Sequence, residues 1–179
     1  MDKDNIIKLF KKQLFNSLME TKFNKKWNIW YHHEKDNWNL SGYRKIYQIE
    51  SIQDFWKLYN NWNKIGGVNS KHLFIMQDGV TPIWEDENNI NGGCWSYKIN
   101  DSKSNEIWEN LSMYLVTENL CKLNDEILGL SICLKKKNNS VVKIWNKDSS
   151  KNSLALINDK ILENWGLDVI YIAHMPDKK

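Results

Sequence analysis

A long acidic loop between two strand-like segments carries the residues with the clearest chemistry. Trp84 and Glu85 stand side by side in this loop, which follows an Asp-Gly turn at Asp78 and ends at a glycine pair that begins with Gly92. An indole offers a flat apolar face for stacking, and a carboxylate accepts hydrogen bonds from donors on a ligand. Loops held by rigid strands often carry such binding groups. Taken alone, the pair fits a binding site and a solvated turn with one core anchor equally well.

Length and composition indicate one ordinary globular domain. The chain has 179 residues, of which 41% are apolar and 26% are charged, enough for one well-buried core and few for two. No run of about 18 apolar residues occurs, so we expect no membrane-spanning segment. The 3 cysteines never have a CxxC spacing, which argues against a disulfide framework and a zinc site and favours a reducing, cytoplasmic location.

The spacing of apolar residues predicts strands interleaved with helices. The segments at 72–76 and 94–99 flank the acidic loop and are expected to pair as a hairpin. This order of elements favours an α+β fold, in which an antiparallel sheet carries helices on one face. The further predicted strands cover 27–33, 43–49, 127–135, 141–145 and 169–173, and the predicted helices cover 52–63, 104–121 and 151–165.

Residues 1–22 are predicted to form an N-terminal amphipathic helix ahead of a single domain at residues 23–179. Apolar residues recur in this segment at helical spacing, including Phe10, Leu14 and Leu18. The simplest expectation is that this helix packs on the domain.

A longer motif around the acidic loop resembles that of a known family. The pattern Asp-Gly-x-x-Pro-x-Trp-Glu-Asp-Glu, followed by Gly-Gly-x-Trp, is similar to the signature of the mRNA cap-binding translation initiation factor 4E family. The likeness runs from Trp27 to His174. It implies a strongly curved antiparallel sheet with three helices on its convex face and a ligand slot on its concave side. Tryptophans at the family spacing are Trp27, Trp30, Trp38, Trp56, Trp84, Trp95, Trp108 and Trp145.

The resemblance implies a role for each residue of the slot. Trp38 and Trp84 would sandwich 7-methylguanine, whose positive charge adds a cation–π attraction to ordinary stacking. Glu85 would accept hydrogen bonds from the N1–H and the exocyclic amine of guanine. Trp145 would pack near the N7-methyl group, although a strand tryptophan is also a common core residue.

Lysines would hold the phosphates, because Arg44 is the only arginine of the chain. The resemblance places Lys135 and Lys137 at the phosphates. The second basic position of the family falls on Val141, and Cys94 stands where an arginine is common. An ammonium group lacks the planar fork of arginine, so we expect weaker phosphate contacts and a shallower salt dependence of binding.

On the convex face, the family binds a helical Tyr-x4-Leu-apolar motif of scaffold and repressor proteins. The matching positions here are Ile52, Trp56 and Met113, while Asn110 replaces an acidic contact. The N-terminal segment carries a similar pattern at its Leu9, so a further hypothesis is that this helix covers Trp56 in cis.

The predicted function is binding of the 7-methylguanosine cap of mRNA in translation initiation, by a monomer without catalysis, cofactor or metal. One alternative is a competitor or repressor that sequesters capped mRNA without docking the scaffold. Another is a general single-stranded RNA binder, which would not distinguish methylated guanosine. A nucleotide enzyme with magnesium at Glu85, Asp86 and Glu87 is the remaining alternative, although no phosphate-binding glycine loop or nucleophile–base pair accompanies it.

Overall fold

One antiparallel sheet forms the centre of the molecule. The computed structural model describes residues 17, 21–34, 36–68, 72–135, 139–165 and 168–175, without the side chains of residues 164 and 165. Within these ranges the chain forms a 7-stranded sheet. Its strands are β1 (Lys22–His32), β2 (Tyr43–Ser51), β3 (His72–Gln77), β4 (Gly93–Asn100), β5 (Ile127–Lys135), β6 (Asn139–Asn146) and β7 (Val169–Ala173).

The order of the strands across the sheet is β2-β1-β3-β5-β6-β4-β7, and every adjacent pair is antiparallel. The predicted hairpin of 72–76 with 94–99 is therefore wrong, because β5 and β6 lie between β3 and β4. Alternating apolar residues identify a strand, but they do not indicate which other strand lies next to it in the sheet. The acidic loop consequently crosses one end of the sheet between two strands that are not neighbours.

Alternate strand residues divide into a core face and a second face. Leu130 and Ile132 of β5 belong to the main core, while Ser131 and Cys133 point to the other side. The helices α1 (Ile52–Tyr59), α2 (Ser104–Val116) and α3 (Asp159–Trp165) contribute their buried residues to the same main core. A smaller apolar cluster covers part of the second face; it contains Tyr43, Phe74, Met76, Val80, Cys94, Leu128 and Trp145.

Each helix is shorter than its sequence pattern predicts. Ser51 caps α1 as expected, since its side chain accepts a hydrogen bond from the backbone N–H of Asp54. The helix nevertheless ends at Tyr59, and a separate 3₁₀ turn follows at Trp62–Ile65. The second helix ends at Val116 instead of 121, and the third begins at Asp159 instead of 151.

The expected α+β architecture, with an antiparallel sheet and helices on one face, is confirmed. The predicted N-terminal helix over 1–22 lies outside the described residues apart from Ser17, Thr21 and Lys22, and Lys22 already belongs to β1. The packing of this helix and its covering of Trp56 stay predictions. In the part of the chain that the structure describes, no helix is long and apolar enough to cross a membrane.

Candidate functional site

A cavity of about 360 Å³ opens on the face of the sheet that carries no helices. Trp38 comes from the loop between β1 and β2, and Trp84 and Glu85 come from the acidic loop. The remaining wall belongs to strands and to the start of the acidic loop. The lining residues from these parts are Tyr43, His72, Phe74, Pro82, Ile83, Ser131, Cys133, Lys135, Val141, Lys143 and Trp145.

Hydrogen bonds within the acidic loop fix the backbone that carries Trp84. Asn89 is fully buried, and its side-chain amide donates to the carbonyl oxygens of Thr81 (2.8 Å) and Ile83 (2.7 Å). Asp86 accepts from the backbone and hydroxyl groups of Thr81 and from Asn88. Burial alone would raise the pKa of Asp86, but these hydrogen bonds outweigh it and lower that pKa. Asp86 is thus a structural group of the loop.

The indole of Trp84 rests on a buried histidine. The ring of His174 stacks on it with the centroids 5.6 Å apart and the planes 12° from parallel. His174 Nδ1 lies 2.8 Å from the carbonyl oxygen of Asn89, so Nδ1 carries the proton and donates. Burial, opposed by this hydrogen bond and assisted by the charge of Lys143, lowers the pKa of His174. A neutral imidazole therefore supports Trp84.

Trp38, the other indole of the cavity lining, has a similar support. The ring of His32 stacks on it with the centroids 4.4 Å apart. His32 Nε2 donates to the carbonyl oxygen of Asn37 over 2.8 Å, and the Asn37 amide in turn donates to Glu34 and Ser41. The indole still exposes 58% of its surface, compared with 41% for Trp84. Both indoles thus combine a supported position with a free surface.

The floor of the cavity is largely apolar. Trp145 is only 2% exposed, and its indole N–H donates to Ser131 Oγ over 3.0 Å. It therefore serves both as a core residue and as a part of the cavity wall. Its ring meets Phe74 edge to face, and it also contacts His174 with the centroids 4.7 Å apart.

One acid and two bases are the charged groups of the lining. Glu85 is exposed and, among the described residues, has no hydrogen-bond or salt-bridge partner. Burial raises the pKa of Tyr43, another lining residue, to about 12, with a contribution from the charge of Glu85. The bases are Lys135 and Lys143.

His72 is a half-buried neutral group beside these charges. Burial lowers its pKa to about 3, with further contributions from His32 and from the positive charges of Lys135 and Lys143. The ring meets Trp38 edge to face at 5.8 Å. His72 therefore acts as an uncharged aromatic side chain of the wall.

The structure brings the predicted slot residues together around one cavity: Trp38, Trp84, Glu85, Lys135 and Trp145. Their binding roles stay predictions. Lys137 lies outside the described residues. Val141 lines the wall as an apolar residue, and Cys94 is fully buried in the cluster beneath Trp145.

Sequence reasoning did not assign Lys143, His32 or His174 to the site. The sequence does indicate that Lys143 faces the site, because it stands two residues from both Val141 and Trp145 and alternate residues of a strand share a face. The sequence gives no such indication for the two histidines, since each comes at the end of a strand and contacts its tryptophan only in the folded protein.

The predicted partner surface lies on the helix side of the sheet. Ile52 and Trp56 of α1 are half-buried, and Met113 of α2 is 36% exposed. The Asn110 amide donates to the carbonyl oxygen of Glu106 in its own helix. The position of the family's acidic contact is therefore held by a neutral amide that already makes a hydrogen bond. Partner binding at these residues stays a prediction.

Metal binding has no support in the geometry. Within the described ranges, no group of three His, Cys, Asp or Glu side chains lies together as a metal site would require. Asp86, one of the carboxylates considered for magnesium, is already occupied by Thr81 and Asn88.

The arrangement is suited to a flat ligand that carries both signs of charge. Two supported indoles provide stacking surfaces, and an unpaired carboxylate accepts hydrogen bonds from donors on the edge of a base. The two ammonium groups provide attraction for phosphates.

Comparisons with known proteins point to one family. The protein-family model described as "Eukaryotic initiation factor 4E" matches residues 22–174 of this chain. Eukaryotic translation initiation factor 4E-3 of Caenorhabditis elegans is 26% identical over 147 residues, which cover 77% of this chain and 58% of that protein. Factor 4E-1 of the same organism is 30% identical over 128 residues, covering 68% of this chain and 60% of that protein. The chain thus spans roughly three fifths of these relatives.

Solved structures show the same fold. The Ascaris suum factor 4E-3, solved with the m7G cap, superposes with a TM-score of 0.73 at 21% identity, covering 90% of this chain and 95% of that chain. The Caenorhabditis elegans factor 4E-3, solved with the 4E-binding protein Mextli, gives a TM-score of 0.72 at 22% identity and covers 86% and 93%.

Proposed function

Because the chain belongs to the eukaryotic initiation factor 4E family, we propose that it binds the 7-methylguanosine cap of mRNA in this cavity. The observation that carries the proposal is the pair of indoles, 58% and 41% exposed, on one cavity beside the unpaired carboxylate of Glu85. The relative solved with the m7G cap supports it. The protein acts in the cytoplasm as a monomeric factor of translation initiation and leaves its ligand chemically unchanged.

Each part of the cap has a partner in the cavity. The methylated base enters between Trp38 and Trp84, where stacking contributes about 1–3 kcal/mol per aromatic face. Its positive charge adds up to about 2 kcal/mol of cation–π attraction in a desolvated site. The Glu85 carboxylate accepts from N1–H and the exocyclic amine. Adenine lacks this pair of donors, so this contact selects guanine.

The same fold supports a protein partner on the opposite face. A helical Tyr-x4-Leu-apolar segment of a scaffold or repressor would contact Ile52, Trp56 and Met113. The relative solved with a 4E-binding protein supports such a surface. The neutral, engaged amide of Asn110 favours a second candidate function, in which the protein sequesters capped mRNA without docking the scaffold.

Replacing Glu85 tests the proposal at the base edge. Glu85→Gln removes the charge and presents an amide donor to the guanine N–H groups, so affinity for 7-methylguanosine diphosphate should fall about tenfold or more, corresponding to roughly 1–3 kcal/mol. Isothermal titration calorimetry measures this change. Glu87→Gln is the matched control, since Glu87 is an exposed carboxylate of the same loop outside the cavity lining. Equal affinities of the two variants would contradict the proposed base contact.

A further inference from the structure

Lys143 occupies a central position in the cavity. On β6 it stands opposite Ser131 of β5 and Ser96 of β4, with Trp145 two residues further along the same face. Its half-buried side chain lines the cavity, while the alternate residues Val142 and Ile144 are buried in the main core. The strand pleat therefore directs this lysine into the slot.

The ammonium group of Lys143 lies over the ring of Trp84, 5.4 Å from its centroid. This distance is within the roughly 6 Å range of a cation–π contact. Among the residues that the structure describes, no carboxylate lies within salt-bridge distance of this lysine. The ring of Trp84 is thus the group that stabilises this cation, and His174 supports the same ring by stacking.

A cationic base stacked on Trp84 would meet this ammonium group. Two positive charges over one indole repel each other, and the low-dielectric wall screens them poorly. The positive charge of Lys143 already contributes to lowering the pKa values of His72 and His174. The base therefore enters favourably only if the lysine moves or if negative charge enters with it.

We propose that Lys143 leaves the face of Trp84 when the methylated base stacks there, and that its ammonium group then binds the phosphate chain together with Lys135. This inference rests on the proposed cap binding. It assigns Lys143, together with Lys135, to the preference of the site for a phosphorylated cap over the bare nucleoside. The same ammonium group therefore lies over the indole in the protein without ligand and binds the phosphates in the protein with ligand.

The positions of the two lysines suit a phosphate chain between them. Lys135 pairs with Asn139, and Lys143 pairs with Ser131, four residues before Lys135 on β5. At about 3.4 Å per residue along a strand and about 4.8 Å between strands, their Cα atoms are roughly 14 Å apart. If the two lysine side chains extend toward each other from this separation, a triphosphate fits between their ammonium groups. Val141 stands between them in the lining, so this stretch of the wall depends on the lysines for its positive charge.

The test compares ligands with and without phosphates on the full-length protein. Lys143→Met keeps an unbranched apolar chain against Trp84 and removes the charge. Lys57→Met removes an exposed charge on the helix side and serves as the matched control. Isothermal titration calorimetry with 7-methylguanosine triphosphate and with 7-methylguanosine, each at several salt concentrations, gives the affinities and their salt dependence.

Lys143→Met should bind the triphosphate about tenfold more weakly than the control, as expected for one lost charge-assisted contact. The slope of log affinity against log salt should become shallower by about 1. The nucleoside should bind as tightly as to the control or more tightly, because the competing cation is gone. Equal weakening for both ligands, or affinities equal to those of the control for both, would overturn the inference. A wild-type protein that does not distinguish the methylated ligands from guanosine triphosphate and guanosine would overturn the proposed function as well.

Discussion

At the scale of single residues, the site consists of two indoles supported by histidine rings, with a few charges around them. His32 stacks on Trp38, and His174 stacks on Trp84. A protonated imidazole behind either indole would oppose the cation–π attraction that a methylated base requires. Burial and the charge of Lys143 keep His174 neutral. The charge balance of the site therefore depends in part on His174, which lies outside the cavity lining.

The neutral state of the half-buried His72 predicts a pH dependence of stability. Its pKa of about 3 in the folded protein lies below the ordinary value of 6.5, so the unfolded chain binds a proton that the folded protein does not. Stability is therefore fully present above about pH 6.5 and is lost as the pH falls below it, by about 2 kcal/mol at pH 5 from this residue.

Urea unfolding at pH 5 and pH 7.5 measures this loss. His72→Phe keeps an aromatic ring of similar size against Phe74 and Trp38 and should remove this part of the pH dependence. Since His174 has a pKa shifted in the same direction, a smaller dependence should remain. An identical pH dependence in the wild type and the variant would contradict the buried neutral assignment.

The family resemblance of the sequence sufficed to predict which residues line the cavity but not their supports. Trp38, Trp84 and Glu85 were predicted for one slot, and the structure places all of them on one cavity. Rare residues at family spacing carry that information in the sequence itself. The stacking of His174 on Trp84 depends on β7 ending beside the acidic loop, and no local pattern records this long-range contact.

At the scale of elements, the position of the acidic loop depends on close packing where β4 begins. Gly93 donates its N–H to Asn146 Oδ1 over 3.1 Å, and the Tyr171 hydroxyl donates to the same oxygen over 2.8 Å. A Cβ atom on Gly93 would lie 2.3 Å from that hydroxyl and 2.6 Å from the Ile172 carbonyl oxygen. Gly93, the second residue of the glycine pair that the sequence pattern indicated as a turn into a strand, is thus required by the approach of β7.

Gly93→Ala should lower the free energy of unfolding by about 1–3 kcal/mol, because the new methyl group overpacks the contact with Tyr171. Urea denaturation measures this change. Ser96→Ala, which removes only a hydroxyl group on the same strand, is the control and should change stability less. A Gly93→Ala variant as stable as this control would contradict the close packing.

Sequence patterns predicted element types better than their ends or partners. The strands at 127–135 and 141–145 pair as expected, since only three residues separate β5 from β6 in the sequence and the two strands are adjacent in the sheet. The pairing predicted for β3 and β4 fails because strand alternation specifies a buried face and leaves the neighbour open. Helix α1 stops early because the chain turns into a 3₁₀ segment and then a left-handed residue at Gly66.

At the scale of the whole molecule, the sheet separates two surfaces. The cavity and its exposed indoles lie on one side, while the helices and the predicted partner surface lie on the other. Trp27, Trp95 and Trp108 share the family spacing with the slot tryptophans but are at most 1% exposed in the main core. The same tryptophan pattern therefore records both the core of the fold and its ligand site.

Trp56→Ala should separate the two proposed interactions. Trp56 is half-buried on α1 and meets Phe55 edge to face at 5.2 Å, so it offers a large aromatic surface to a partner helix. Affinity for a Tyr-x4-Leu-apolar peptide should fall about tenfold or more, while affinity for 7-methylguanosine diphosphate should stay unchanged.

Fluorescence anisotropy of a labelled peptide measures the first affinity and calorimetry the second. Lys57→Met, which alters a neighbouring exposed residue, serves as the control. A Trp56→Ala variant that keeps its peptide affinity would contradict the predicted surface. A wild-type protein that does not bind the peptide would instead support sequestration of capped mRNA without scaffold docking.

The central claim is that a positively charged purine stacks between Trp38 and Trp84. Quenching of tryptophan fluorescence by 7-methylguanosine diphosphate and by guanosine diphosphate compares ligands that differ in the methyl group and the charge it creates. The methylated ligand should bind at least tenfold more tightly, since cation–π attraction of about 1.4 kcal/mol or more corresponds to that ratio. Trp84→Ala should remove most of this preference. Equal affinities of the wild-type protein for the two ligands would contradict the account.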